Sequence, residues 1–133
     1  MYKILIVEDN PEVMEALSDT LELADFPVKR AYDGEEALGI LKEEEFDLVV
    51  TDIMMPKKPG FDVIRYTKSH HPKTKIIAVS GGGNFISSRL TVSLANLEAD
   101  ICLQKPFDLD TFLNAIDRAL KKSLHDNVQM QAV

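Results

Sequence analysis

Leu48-Val49-Val50-Thr51, followed at once by Asp52, is a short apolar run closed by a carboxylate. A continuously apolar run of this length suits a strand covered on both faces. Working outward, the same pattern recurs three times. Lys3-Ile4-Leu5-Ile6-Val7 leads into Glu8-Asp9, Ile76-Ile77-Ala78-Val79 into Ser80, and Ile101-Cys102-Leu103-Gln104 into Lys105. In a parallel α/β sheet the carboxyl ends of the strands share one edge, which is where such sheets bind ligands. Three carboxylates, a hydroxyl and an amine are therefore expected on that edge.

Helical patterns separate the runs, as βαβ units require. Asn10 reads as an N-cap with Pro11 at the first helical position, and Val13, Leu17, Leu21 and Ala24 recur at helical spacing to about Asp25. A strand over Val28 to Tyr32 and a helix over Gly34 to Glu44 come next. The third strand spans Asp47 to Thr51, and the helix after it runs from about Phe61 to Ser69. A strand over Lys75 to Val79 precedes Gly81-Gly82-Gly83 and a fourth helix carrying Ile86, Leu90, Leu94 and Leu97. After the Ile101 strand, Asp108 caps a last helix with Phe112, Ile116 and Leu120 on one stripe. The domain is expected over residues 1–122, with 123–133 as a tail or the start of a linker.

The first, third and fourth strands are continuously apolar and belong in the middle of the sheet. The second, with Lys29 and Arg30, and the fifth, with Gln104, suit its edges. The expected fold is α/β: a flavodoxin-like (βα)5 doubly wound parallel sheet of strand order 2-1-3-4-5, its switch point between strands one and three.

Composition narrows the function. The 133 residues carry a formal charge of −7, against direct nucleic-acid binding, which needs clustered Lys and Arg. No apolar run approaches the roughly 20 residues of a membrane span. One cysteine, Cys102, excludes an internal disulfide framework and suits a reducing compartment, so a cytoplasmic protein is expected. The histidines, His70, His71 and His125, read as solvated loop or tail residues.

Adjacent strands lie about 4.8 Å apart, which crowds Glu8, Asp9 and Asp52. Two like charges at ~4 Å repel by roughly 4 kcal/mol at an effective dielectric of 20, so stability gives no reason for the cluster. Mg2+ does, because it prefers oxygen ligands and commonly joins one or two carboxylates to a phosphoryl oxygen. Asp52 is placed for attack on phosphorus. Lys105 reaches the centre on its long stem, and Ser80 can donate a hydrogen bond to a phosphoryl group.

These elements together are Glu8-Asp9, Asp52-Ile53-Met54-Met55-Pro56 with Gly60, Ser80-Gly81 and Lys105-Pro106-Phe107. In this order the chain resembles a receiver domain of the two-component response regulators. The resemblance implies that Asp52 is the phosphoacceptor, taking its phosphoryl group from a histidine kinase or phosphotransfer protein. It implies Mg2+ bound by Asp9, Asp52 and the backbone carbonyl of Met54, with Glu8 acting through water. Ser80 becomes the switch hydroxyl and Lys105 the phosphate-pairing cation. Phosphorylation would be self-catalysed, without enzymatic turnover of another substrate, and would switch contacts with a protein target or an output domain. A homodimer through the fourth helix, fifth strand and fifth helix also goes with the resemblance. Cys102 stands where the family often has an aromatic, and reads as a small packing residue rather than a redox thiol. The glycine-rich stretch after Ser80 would then carry the signal.

Other readings fare worse. A flavin-binding flavodoxin needs an anion-accepting loop where Glu8-Asp9-Asn10 stands, and a P-loop nucleotidase needs a Gly-Lys-Ser/Thr that does not follow Gly81-Gly82-Gly83. A receiver-like module that works without phosphorylation is the remaining alternative, and the complete acid, hydroxyl and lysine set speaks against it.

Overall fold

The computed structural model describes residues 2–55, 60–80 and 99–120. The expected Gly81–Gly83 loop, the helix around Ile86 to Leu97 and the 123–133 tail lie outside these residues. Five strands, β1 (Ile4–Val7), β2 (Val28–Ala31), β3 (Leu48–Asp52), β4 (Lys75–Ser80) and β5 (Ile101–Gln104), form one sheet of order β2-β1-β3-β4-β5. All pairings are parallel. The fold and the strand order are those expected from the sequence.

Alternation along the strands divides the core between two faces. Ile4, Ile6, Leu48, Val50, Ile77 and Val79 point to one face, under α1 (Pro11–Leu23) and the C-terminal helix (Leu109–Leu120), where they meet Met14, Leu21, Phe112 and Ile116. Leu5, Val7 and Val49 point to the other, against Ala37 and Leu41 of α2 (Gly34–Glu43) and Val63 of α3 (Gly60–His70). Ile76 and Ala78 join Ile53 and Ile64 there. This is the doubly wound arrangement.

The caps fix where the helices start. Asn10 Oδ1 accepts from the N–H groups of Glu12 and Val13 at 2.9 and 3.2 Å, and Pro11 needs no donor partner at the first position. Asp33 Oδ1 accepts from Glu36 N–H at 2.7 Å, while the Glu36 carboxylate takes the Tyr32 N–H at 3.2 Å. β2 ends at Ala31, one residue earlier than expected. At the far end of α1, Asp25 adopts a left-handed φ of 66°, which Asp tolerates better than most residues.

Two strands run longer than the sequence pattern implies. Asp52 pairs with Val79, and Ser80 with Gln104, so both belong to the ladder itself. One expectation needs correcting. The His71 side chain is only 12% exposed, and its Nε2 lies 2.9 Å from the Leu41 carbonyl at the end of α2. It is a packed tie between α3 and α2, neighbouring helices on one face of the sheet, rather than a solvated loop residue.

Candidate phosphoryl-transfer site

Register in the sheet brings the functional side chains to one edge. Val7 pairs with Thr51, so Glu8 and Asp52 leave adjacent strands at neighbouring heights. Lys105 follows β5, and its backbone N–H bonds the Ser80 carbonyl at 2.8 Å. Its side chain then crosses back over β4. The Lys105 ammonium lies 2.6 Å from Glu8 Oε1 and 3.0 Å from Asp52 Oδ2.

Each of those carboxylates is held at its other oxygen by a backbone donor. Asn10 N–H reaches Glu8 Oε2 at 3.0 Å, and Met54 N–H reaches Asp52 Oδ1 at 3.0 Å. Both acids are buried, Glu8 at 2% and Asp52 at 5% exposure, while Asp9 is exposed. Glu8, Asp9 and Asp52 each offer an oxygen within 4.8 Å of the others. Three hard oxygen donors at that spacing fit a magnesium ion better than a soft metal. Met54 lies beside Asp52 through its N–H bond and leaves its side chain half exposed.

Burial is the largest influence on both inner acids. It pushes Glu8 and Asp52 above their ordinary carboxyl values, against the Lys105 ammonium and the backbone donors, and the mutual repulsion among the acids adds to it. Burial works the other way on Lys105, but its bonds to Glu8 and Asp52 outweigh that and raise it. The ammonium is the counter-charge that allows two carboxylates to share this edge.

Ser80 is also buried, and its hydroxyl donates to the Leu103 carbonyl at 3.5 Å. That length is at the limit of a hydrogen bond, so the hydroxyl gives up little by turning to another acceptor. Cys102 is half-buried beside the Ile53, Ile64, Ile76 and Ala78 cluster, and burial raises its thiol. A thiol raised in this way is a poor nucleophile, which agrees with a packing role.

Of the site residues expected from sequence, Glu8, Asp9, Asp52, Met54, Ser80 and Lys105 all lie at this edge, whereas Cys102 packs on the α2–α3 face. The role of Gly60 is geometric. A Cβ there would overlap the Asp52 carbonyl oxygen and stand 2.7 Å from Ile53 Cα, so α3 can seat against the end of β3 only through a glycine.

Comparison with known proteins agrees with this geometry. The family model described as the response regulator receiver domain matches residues 4–117. The transcriptional regulatory protein CpxR of Escherichia coli K12 is 37% identical over 131 residues, covering 98% of this chain and 54% of its own length. The chain thus spans about half the length of that curated relative. A CheY-like receiver domain protein from Methanospirillum hungatei superposes with a TM-score of 0.82 at 27% identity, over 91% of this chain and 94% of the other. The response regulator TrrA of Thermotoga maritima, solved in complex with Mg2+ and beryllofluoride, gives 0.76 at 29% identity, over 90% and 100%.

Proposed function

Because this chain belongs to the response regulator receiver domain family, we propose that it is a signalling phosphoacceptor and that Asp52 is the residue phosphorylated. One observation carries the reading: a buried Asp52 carboxylate stands 3.0 Å from the Lys105 ammonium, within a cluster of three acids. Two buried carboxylates side by side cost stability, and acids perturbed in this way cluster at functional sites.

In the proposed reaction an Asp52 carboxylate oxygen attacks the phosphorus of a phosphohistidine on a histidine kinase or phosphotransfer protein. The new P–O bond forms as the P–N bond breaks, and the electron pair leaves with the imidazole, which takes up a proton. Such a transfer depends on positioning and charge neutralisation more than on proton chemistry. Lys105 balances the charge on the phosphoryl oxygens, and the Ser80 hydroxyl turns from Leu103 to bond one of them. Glu8, Asp9 and Asp52, with the backbone carbonyl of Met54, would hold Mg2+, which supplies further charge neutralisation there. TrrA, a relative by structure, binds Mg2+ with beryllofluoride, which supports the assignment. Phosphorylation is self-catalysed and the chain turns over no separate substrate.

The same reading gives a cytoplasmic location, and an output through a protein target or a further domain of a longer regulator. No described helix is long and apolar enough to cross a membrane. The switch would alter protein contacts, and a homodimer through the fourth helix, fifth strand and fifth helix would involve residues outside those described. Fluorine NMR with beryllofluoride, a phosphoryl mimic, tests the reading. A bound signal should form only when Mg2+ is present and should be absent in Asp52→Asn. A protein that never forms the signal would instead be the phosphorylation-independent module.

A further inference from the structure

At the opposite edge of the sheet from Asp52, by the amino ends of β3 and β4, a cavity of about 580 Å3 is lined by Glu45, Asp47, His70 and His71 among others. The two imidazoles are each tied at one nitrogen by a backbone carbonyl. His71 Nε2 lies 2.9 Å from the Leu41 carbonyl, and His70 Nδ1 lies 3.1 Å from the Tyr66 carbonyl. A carbonyl only accepts, so those nitrogens carry the N–H, and in a neutral ring the other nitrogen keeps its lone pair. On His71 that nitrogen is Nδ1, which is buried and has no hydrogen-bond partner among the described residues. Its neighbour is a second acceptor, Glu45 Oε1, at 3.6 Å. Two acceptors facing each other call for a cation between them.

The separation decides which cation. A proton held between imidazole and carboxylate draws the two atoms to about 2.7–2.9 Å. Zinc bonds nitrogen and oxygen at about 2.1 Å each, which keeps the two donors roughly 3.4 Å apart at the tetrahedral angle. We propose that His71 Nδ1 and the Glu45 carboxylate form a site for a transition-metal ion of the zinc class, distinct from the acid cluster at Asp52. The Leu41 carbonyl on Nε2–H is the outer partner that a ligating histidine ordinarily has, fixing both tautomer and ring orientation. Imidazole with carboxylate favours zinc over magnesium, and water completes the coordination from the cavity. Glu45 lies between α2 and β3, and His71 directly follows α3. A bound ion therefore joins the ends of two neighbouring helices and stabilises the fold without entering the phosphoryl-transfer site.

Zinc chloride added to tag-free protein at constant pH, with Mg2+ in excess, tests the site. Nitrogen NMR of the histidine rings reads each imidazole separately. Zinc should shift His71 Nδ1 and leave Nε2 as the N–H. Glu45→Gln, a change on an exposed side chain, should need several-fold more zinc for the same shift. His71→Gln should lose the rise in melting temperature that zinc gives, and Asp52→Asn should keep it, with backbone amide spectra confirming the fold. The proposal is overturned if zinc leaves His71 unchanged, if it acts first on His70 or His125, or if Glu45→Gln binds it equally well. A His71 ring that responds to pH but not to zinc would make Glu45 an ion-pair partner only, and overturns the metal site as well.

Discussion

The backbone of Gly60, at the start of α3, packs so closely on Asp52 that a methyl group at Gly60 would overlap the Asp52 carbonyl oxygen. The contact fixes the end of β3 against the helix that follows it. Gly60→Ala should destabilise the protein by about 1–3 kcal/mol, the usual cost of overpacking. Gly39 offers the control. It lies within α2, and a methyl group added there would meet nothing within 4 Å, so Gly39→Ala should stabilise by roughly 0.5–1 kcal/mol. Chemical denaturation of the two variants should give opposite signs.

Stability should depend on pH through the two buried acids. Burial raises the folded-state values of Asp52 and Glu8 above their ordinary 3.8 and 4.5. A raised acid favours the fold while protonated in both states, and that contribution is lost as pH rises through the folded value. Lys105 is raised from 10.5, so it stays charged across this acid window and contributes a constant amount there. Asp52→Asn cannot ionise, so its stability relative to wild type should increase as pH rises from the ordinary carboxylate range through the raised folded-state value of Asp52. Denaturation at several pH values would show it, and a difference that shrinks with rising pH would contradict the burial argument.

Mg2+ should raise the melting temperature of the wild-type protein, because the three oxygens are gathered only in the folded state. Ligand in hundredfold excess over Kd stabilises by about 2.7 kcal/mol. Asp9→Asn and Asp52→Asn should each show a smaller shift. Calorimetry at constant ionic strength separates this from screening of the acid cluster by salt.

How much of this could be read in the sequence follows from which residues act locally. Polar residues closing apolar runs announced the strand ends, and Lys29, Arg30 and Gln104 marked the sheet edges. Asn10 before Pro11 marked the start of α1. Contacts between distant segments were illegible. His-His-Pro reads as a loop, yet His71 is packed because Leu41, thirty residues earlier, presents a carbonyl to it. Lys105 was placed near the centre by its length, but its closer bond to Glu8 depends on how the Asn10 cap turns that carboxylate. Gly60 stood out as part of a motif, while its reason, the Asp52 carbonyl, is visible only in three dimensions.

Ser80 should separate stability from switching. Among the described residues its hydroxyl makes the 3.5 Å bond to Leu103, so Ser80→Ala should cost less than about 1 kcal/mol. With beryllofluoride and Mg2+, however, the variant should lose much of the wild-type change in amide hydrogen exchange around Lys105. An unaltered exchange response would remove Ser80 from the switch.

The central claim is that Asp52 accepts the phosphoryl group, and intact-mass spectrometry after incubation with acetyl phosphate and Mg2+ tests it most directly. The wild-type protein should gain one phosphoryl group, and Asp52→Asn should gain none. A phosphoryl group that persists in Asp52→Asn, or a wild-type protein that stays unmodified with Mg2+ present, would contradict the account.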